Sequence, residues 1–110
     1  MEILSRIEEL ILLTVWKLQE NAYGLEIRIH LSDLLNRELS VGAVYVPLKR
    51  LKKRGYLTSW DSSPTDERGG RSKRFYKLSV KGIAALQEVK QIQKNAWSGL
   101  PNLGLDWVKA

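Results

Sequence analysis

The spacing of apolar residues changes from helical to alternating immediately after Gly55. Before Gly55, apolar side chains recur every three or four positions, as on one face of an α-helix. After it, two short segments rich in β-branched and aromatic residues alternate in polarity, as strands do, and a last helical stretch follows. This order predicts an α+β fold that is mainly α-helical, with one small β-hairpin. The predicted elements are helices over about 2–19, 23–37 and 41–54, a hairpin over 56–80, a helix over about 80–98 and a tail over 99–110.

A length of 110 residues fits one domain, and no repeat or Gly/Ser/Pro-rich linker divides the chain. Because the chain has no cysteine, disulfides and thiolate metal sites are excluded. The longest apolar run, from Leu10 to Trp16, is far shorter than the ~20 residues that cross a bilayer. The first residues also lack the pattern of a signal peptide. We therefore expect a cytoplasmic protein with no membrane segment.

The first predicted helix is apolar on nearly every side between Leu10 and Trp16. Such a helix has to be covered on two faces, by its own domain and by a second surface. In the last helix, the apolar residues from Ala85 to Ala96 are spaced by 4, 3 and 4 positions, as in a coiled-coil seam. We therefore predict a homodimer formed through helix 1 and residues 80–100. The predicted interface residues are Leu10, Leu13, Val89, Ile92 and Ala96.

Positive charge is concentrated in one third of the chain. Residues 41–77 hold ten Lys or Arg and three Asp or Glu, a net charge of +7, whereas the whole chain carries +6. Residues 1–40 are net acidic, with four basic and seven acidic side chains. Such asymmetry indicates a surface that meets a nucleic acid or another acidic partner, although a solvated basic face is the alternative.

The third predicted helix begins after Ser40, which is suited to cap it, and Gly55 stands where it ends. Its predicted outward face is small and apolar near the N-terminus and cationic toward the C-terminus, with Arg50 at its flank. Such a gradient suits a helix that enters the DNA major groove, small residues against base edges and long ones against phosphates. Pro47 implies either a bend or an earlier end to the helix. The residues predicted to bind DNA here are Ser40, Gly42, Ala43, Tyr45, Val46, Lys49 and Lys53.

The predicted hairpin has a charged tip around Gly69 and Gly70. Arginines there suit phosphates and a narrow minor groove, whereas Asp66 and Glu67 would oppose them. Because this hairpin follows a pair of helices resembling a helix-turn-helix, we interpret it as a DNA-binding wing. The residues predicted to contact DNA from the wing are Arg71, Lys73 and Arg74.

Catalytic chemistry finds little support in the sequence. His30 is the only histidine and lies within the apolar stripe formed by Tyr23, Ile27, Leu31 and Leu34 of the second helix, so a structural role is expected. No metal site, cofactor loop or catalytic carboxylate pair is apparent. We expect neither enzymatic activity, nor a cofactor, nor a metal ion.

Over roughly residues 8 to 90 the chain resembles the PadR family of bacterial winged-helix transcriptional regulators. Leu25 stands where the family commonly has an aromatic residue and Ser72 where it commonly has proline, which affects local contacts rather than the fold. The motifs that carry the resemblance are Tyr23-Gly24-Leu25-Glu26-Ile27, Ser40-x-Gly42-x-x-Tyr45-x-Pro47-Leu48-x-Arg50-Leu51, Gly55, and Gly70-Arg71-x-Lys73-x-Phe75-Tyr76-x-Leu78-Ser79-x-x-Gly82.

The resemblance implies a winged-helix domain that binds double-stranded DNA and a C-terminal helix that holds a homodimer together. It also implies repression that is relieved by an aromatic or drug-like small molecule, and it accounts for Pro47, a family feature of the recognition helix. The chain resembles the short subfamily, which has a single dimerising helix.

A planar aromatic effector is expected to bind near the dimer axis, where two copies of Trp97 form a slot over helix 1. The alternative is that Trp97 only fills space against the tail that contains Leu103 to Trp107. The residues predicted to contact the effector are Trp97, Gln93 and Leu86.

Two functions from different classes remain open. The first is a DNA-binding transcriptional regulator that recognises a two-fold symmetric operator. The second is a winged-helix interaction module that binds an acidic protein or RNA without reading a DNA sequence.

Overall fold

The computed structural model describes residues 2–62 and 72–101. In this part the chain forms four α-helices and a two-stranded antiparallel hairpin, which confirms the predicted fold class. The elements are α1 (Arg6–Leu18), a 3₁₀ turn (Gln19–Asn21), α2 (Gly24–Leu35), α3 (Val41–Lys53), β1 (Leu57–Asp61), β2 (Arg74–Leu78) and α4 (Val80–Trp97).

Helix α1 begins at Arg6, four residues later than the apolar pattern predicts. Ser5 caps it: the Ser5 hydroxyl accepts a hydrogen bond from the Glu8 backbone N–H at 3.2 Å. In return, the Ser5 backbone N–H donates to Glu8 Oε1 at 2.8 Å, which completes a capping box. This reciprocal cap fixes the helix start, so residues 2–5 lie outside the helix and run alongside it as a separate segment.

The core lies between the first three helices and the hairpin, and Leu12, Ile27, Leu48 and Leu57 are among its buried members. Burial on α2 is confined to Gly24, Ile27 and Leu31. The prediction that Leu34 continues this buried stripe is therefore wrong, because 61% of Leu34 is exposed in the last turn of α2.

Helix α3 continues through Pro47 to Lys53. The interpretation that the helix ends before Pro47 is therefore wrong. Pro47 lacks the N–H that would bond to the carbonyl of residue 43, and it is buried together with Val44 and Leu48. Burial of the ring offsets part of the cost of that missing hydrogen bond.

The hairpin pairs Leu57 with Leu78 at one end and Asp61 with Arg74 at the other. The segment before α2 extends the sheet, because the Tyr76 N–H donates to the Ala22 carbonyl at 2.8 Å. This contact ties the hairpin to the start of α2. Most of the predicted wing tip, including Arg71, which is predicted to bind DNA, and most of the predicted tail lie in the ranges 63–71 and 102–110, outside the described residues.

Helix α4 begins after Ser79, whose side chain caps it, and crosses the hairpin end at Gly82. A Cβ at Gly82 would overlap the Tyr56 carbonyl oxygen, so the two backbones are in direct contact. Further along, Ala85, Leu86 and Val89 pack partly buried against the core. None of the helices in residues 2–62 and 72–101 has an apolar stretch of the length that a bilayer requires.

Candidate nucleic-acid interface

The exposed side of α3 presents most of the residues predicted to bind DNA. Ser40 caps the helix, its hydroxyl accepting a hydrogen bond from the Ala43 N–H at 3.1 Å. Val46 is 59% exposed in the middle of this face, between the small N-terminal residues and the lysines of the last two turns. The exposed residues at predicted positions are Ser40, Gly42, Ala43, Tyr45, Val46, Lys49 and Lys53.

Tyr45 occupies a different place from the one expected of a phosphate-contacting side chain. Its ring lies over the start of α2, where a Cβ on Gly24 would overlap the phenolic oxygen. Tyr45 remains 38% exposed and, together with Tyr76 of β2, lines a groove beside α3 that is described below. Tyr45 therefore fixes the contact between α2 and α3 and still borders the exposed surface.

A groove of about 550 Å³ runs between the C-terminal half of α3 and strand β2. Four residues predicted to bind DNA meet there, together with Lys52, which the sequence analysis did not select. Lys52 follows Lys49 by three positions, and this spacing on a helix was a signal that it shares the same face. The residues lining the groove are Tyr45, Lys49, Lys52, Lys53, Arg74 and Tyr76.

Arg74 and Lys73, the two residues predicted for the wing that the structure describes, lie in different surroundings. Arg74 lines the groove and forms an exposed ion pair with Asp61, its Nε donating to Oδ1 at 2.9 Å. This hydrogen bond lowers the pKa of Asp61, so the pair stays charged at neutral pH. Lys73 instead places its Nζ 4.4 Å from the centre of the Tyr23 ring. The structure therefore brings Arg74, but not Lys73, into the α3 groove.

Arg50 of α3 and Arg54, which ends the helix, turn away from the groove toward α1. Arg50 Nε and Arg54 Nη1 donate to the same oxygen of Glu8, at 3.1 and 3.2 Å. The Glu8 side chain is only 5% exposed. Burial raises its pKa, but hydrogen bonds from the Ser5 backbone and Arg50 outweigh that effect and lower the pKa below its ordinary value. Glu8 is thus ionised and engaged on both oxygens.

The sequence analysis missed this arrangement, although one half of it has a local signal. The spacing of Ser5 and Glu8 is that of a capping box and was readable from the sequence. The pairing of Glu8 with residues 42 and 46 positions later carries no local signal, because it depends on how α1 packs against α3. Arg50, predicted at the flank of the outward face, is directed to α1 by this pairing.

A second cluster joins the N-terminal segment, the end of α3 and the start of α4. The Tyr56 hydroxyl donates to Glu2 Oε1 at 2.6 Å, and this hydrogen bond raises the pKa of Tyr56 and lowers that of Glu2. Lys81 Nζ lies 4.4 Å from the Tyr56 ring centre and donates to the Arg54 carbonyl at 2.7 Å. The end of α3 is therefore fixed to both neighbouring segments.

The residues predicted for a dimer interface differ in exposure. Leu10 and Val89 are partly buried against the core of their own domain, where they contribute to its packing. Leu13 and Ile92, 47% and 50% exposed, extend the apolar surface of α1 and α4, and Ala96 is also exposed. The predicted seam therefore lies partly against the protein's own core and partly in the open.

A groove of about 490 Å³ separates α1 from α4 beside this surface. Two of the three predicted effector-contacting residues, Leu86 and Gln93, line it together with Leu13 and Trp16. Trp97 is not among the lining residues and is 58% exposed. Trp16, which the sequence analysis placed only within the apolar run of helix 1, is the tryptophan that borders this groove.

No three His, Cys, Asp or Glu side chains in the described ranges 2–62 and 72–101 are grouped so that they could hold a metal ion. His30 lies at the half-exposed surface of α2, with Nδ1 3.6 Å from Glu26 Oε2. These observations leave the cationic groove beside α3 as the principal candidate site.

The family model described as "Transcriptional regulator PadR-like family" matches residues 11–88. A PadR family transcription regulator from Clostridium difficile R20291 is 26% identical, with a TM-score of 0.64 over 84% of this chain and 91% of that chain. A PadR-like transcription factor from Bacteroides fragilis is also 26% identical, with a TM-score of 0.68 over 82% of each chain.

RosR of H. salinarum, 22% identical, has the same fold, with a TM-score of 0.67 over 89% of this chain and 81% of that chain. No curated protein matches the chain significantly. The matching family model and these named PadR structures describe regulators of transcription rather than enzymes. The chain belongs to the PadR-like family of winged-helix transcriptional regulators.

Proposed function

We propose that the protein is a sequence-specific repressor that binds a two-fold symmetric operator as a homodimer and is released by a planar aromatic molecule. The observation that carries the DNA-binding part is the groove beside α3, where Lys49, Lys52 and Lys53 meet Arg74. Within residues 2–62 and 72–101, none of these three lysines is within ion-pair distance of a carboxylate, and Lys52 interacts with Asp61 only at longer range, so their charge is available to phosphates. Lysine contacts to phosphate supply affinity that depends on salt and not on sequence.

In this proposal, the N-terminal half of α3 recognises the DNA sequence through contacts to the bases. Gly42 and Ala43 leave the backbone accessible, and Val46 presents an exposed apolar side chain that suits the methyl group of thymine. The lysines follow in the last two turns and would contact phosphates at the groove edge. The N-terminal half of α3 would thus contact the bases, and its C-terminal half would contact the DNA phosphates.

The dimer is supported by the apolar surface that α1 and α4 leave exposed. Leu13, Trp16 and Ile92 are each about half exposed, and exposed apolar patches of this kind mark interaction sites. A two-fold axis beside α4 would present two copies of α3 to two half-sites of one operator. In the proposed dimer the interface includes Leu10, Leu13, Val89, Ile92 and Ala96.

The groove between α1 and α4 is the proposed effector site. Leu86 and Gln93 line it, and Trp97 lies one turn of α4 beyond Gln93, where a second copy would complete a slot. An aromatic ligand there would alter how the two α4 helices pack, and hence the separation of the two recognition helices.

The competing function is a winged-helix module that binds an acidic protein or RNA. The exposed apolar Val46 favours base contact over this alternative, because a purely electrostatic surface gains nothing from it. An interaction module would bind DNA with an affinity that is the same for all sequences.

Selection of bound sites from a random double-stranded DNA library tests the proposal. The natural chain should enrich a two-fold symmetric sequence. Lys49→Ala should weaken binding to all duplexes and lower the slope of log affinity against log salt by about one. Val46→Ala should instead change which operator positions are enriched.

Lys94→Ala is the matched control, since it removes the same charge from α4 about 20 Å beyond Lys81, the residue of α4 that reaches α3. We expect Lys94→Ala to bind like the natural chain. Enrichment of no sequence, or an equal loss for Lys49→Ala and Lys94→Ala, would contradict the proposal.

A further inference from the structure

The last two turns of α3 and the residue that ends it carry five cations, which the structure divides into two groups. The lysines face the groove beside β2, and no ion pair engages Lys49, Lys52 or Lys53 in the described ranges 2–62 and 72–101. Arg50 and Arg54 are directed to the other side, where both bind Glu8. In the helix proposed to enter DNA, the lysines therefore face the groove, whereas the arginines are paired with Glu8 on the opposite side.

Hydrogen bonds to both of its oxygens hold the Glu8 carboxylate in place. Its Oε1 accepts the Ser5 backbone N–H at 2.8 Å, and its Oε2 accepts both guanidinium groups. The carboxylate is almost completely buried, whereas Arg50 and Arg54 keep 46% and 36% of their side chains exposed. The arginines are therefore within reach of solvent, and it is the fixed carboxylate that determines where their charged ends lie.

A second carboxylate, that of Glu2, lies in the same cluster. Glu2 Oε2 lies 3.6 Å from Arg54 Nε, and Glu2 also accepts the Tyr56 hydroxyl. Two carboxylates of residues 2–8 thus face the guanidinium groups of Arg50 and Arg54, and Lys81 Nζ also lies 3.7 Å from Glu2 Oε1. The cationic surface that α3 offers to an acidic partner is consequently that of its lysines.

This division matters because arginine and lysine bind DNA differently. A guanidinium group binds a phosphate through two parallel hydrogen bonds and stays charged under all conditions. Each added phosphate contact increases affinity for every sequence alike. It also steepens the slope of log affinity against log salt by about 0.9. Two released arginines would therefore strengthen sequence-independent binding and reduce the advantage of the operator.

We propose that Glu8 is a positioning residue for DNA recognition, which holds Arg50 and Arg54 away from backbone phosphates and so limits sequence-independent affinity. The inference rests on the proposed function, in which α3 contacts DNA. It assigns to α1 a part in specificity, although α1 itself lies behind the recognition helix.

Glu8→Gln tests the inference, and Glu9→Gln is the matched control. Both remove one negative charge from the first turn of α1, but the Glu9 side chain makes no hydrogen bond or ion pair in the part of the chain that the structure describes. The probe is a random-sequence 30-base-pair duplex carrying a fluorophore, and its anisotropy is followed in titrations at several salt concentrations.

We expect Glu8→Gln to bind the random duplex on the order of ten times more tightly at 0.1 M salt, with a slope that is steeper by one to two. Its preference for the selected operator over the random duplex should fall. Glu9→Gln should keep the natural slope. Equal slopes for the two variants would overturn the inference.

Two further variants separate positioning from a purely structural role. In the natural background, Arg54→Gln should leave the salt slope unchanged, because Arg54 makes no phosphate contact; a slope lower by about one would overturn the inference. The triple variant Glu8→Gln, Arg50→Gln, Arg54→Gln should return the slope to its natural value, whereas a persistently steep slope would also overturn it. If Glu8→Gln does not fold, as urea unfolding would reveal, the result for Arg54→Gln decides alone.

Lys49→Ala in the same titration distinguishes this inference from the proposed function. A lower slope for Lys49→Ala together with equal slopes for Glu8→Gln and Glu9→Gln would overturn only the role of Glu8. No change in slope for Lys49→Ala would overturn both, because α3 would then not contact DNA.

Discussion

The ring of Tyr45 in α3 lies over the backbone of Gly24 at the start of α2, in the space that the Cβ of any other residue would fill. This contact brings α3 close to α2. Tyr45 also lines a groove together with Tyr76 of β2, so this side chain of α3 packs on α2 and borders the hairpin surface. The angle between the two helices therefore depends on the absence of a side chain at position 24.

Gly24→Ala should destabilise the fold. An added Cβ would overlap the phenol ring, and inserting a methyl group into a packed site costs about 1–3 kcal/mol of unfolding free energy. The greater helix preference of alanine returns up to about 1 kcal/mol of this. Urea unfolding followed by circular dichroism measures the difference.

Gly42→Ala is the control for Gly24→Ala, because a Cβ at Gly42 meets no atom within 4 Å. The same exchange in a helix should there stabilise the protein by up to about 1 kcal/mol. Tyr45→Ala combined with Gly24→Ala should lose less than the sum of the two single losses. Equal effects of Gly24→Ala and Gly42→Ala would show that Tyr45 does not press on α2.

The sequence was sufficient for the elements and their order, because these depend on local patterns. The cap at Ser40, the end of α3 before Gly55 and the return to helix after Ser79 each follow from a residue and its near neighbours. Gly55 has a φ of +87°, which glycine adopts without strain.

The sequence was insufficient where burial depends on a partner far along the chain. Leu34 continues the apolar spacing of α2, yet it is exposed, whereas its neighbours Leu31 and Leu35 are buried and half-buried. Arg50 has the spacing of an outward residue on α3, but Glu8 directs it toward α1. Helical periodicity gives the angle of a side chain around its own axis and not the identity of the element that packs there.

Ile92→Glu should convert the proposed dimer to monomers. Ile92 is half exposed on α4, so the change spares the core, whereas Val89 packs against it. A buried carboxylate pair at a two-fold axis would repel and lose its hydration, which opposes association. Sedimentation velocity at micromolar concentration measures the mass.

Val80→Glu is the matched control for Ile92→Glu. It makes a similar apolar-to-acidic exchange at a site that is 85% exposed, about 18 Å earlier along α4. This variant should sediment like the natural chain. A natural chain that is already monomeric at micromolar concentration would remove the dimer from the proposed function.

Trp97→Ala should weaken the binding of planar aromatic dyes at least about tenfold, as expected when an indole that stacks on the ligand is removed. Calorimetric titration of the natural chain and the variant measures the affinity, with sedimentation as the check that the dimer persists. Trp16→Ala tests the groove itself, since Trp16 lines it beside Leu86. Equal dye affinity in Trp97→Ala and the natural chain would exclude Trp97 from the effector site.

The free energy contributed by Glu8 should disappear in acid. The pKa of Glu8 lies below its ordinary value of 4.5 in the folded protein, so at intermediate pH the unfolded chain binds the proton more readily. Stability then rises with pH across this window and is fully present above about pH 4.5. As pH falls through the window, Glu8 becomes protonated and its ion pairs with Arg50 and Arg54 are lost.

Urea unfolding of the natural chain and Glu8→Gln between pH 3 and pH 7 measures this contribution. The natural chain should be more stable at pH 7, and its advantage over Glu8→Gln should shrink as the pH falls below about 4.5. Acidic groups that both proteins share and that lie away from Arg50 and Arg54, such as Asp61 with its partner Arg74, contribute equally to both curves and cancel in the difference. Glu9→Gln should follow the natural chain over the whole range, because the Glu9 side chain has no partner in the described residues. A difference between the natural chain and Glu8→Gln that stays constant from pH 7 to pH 3 would show that the Glu8 carboxylate does not hold the two arginines by its charge.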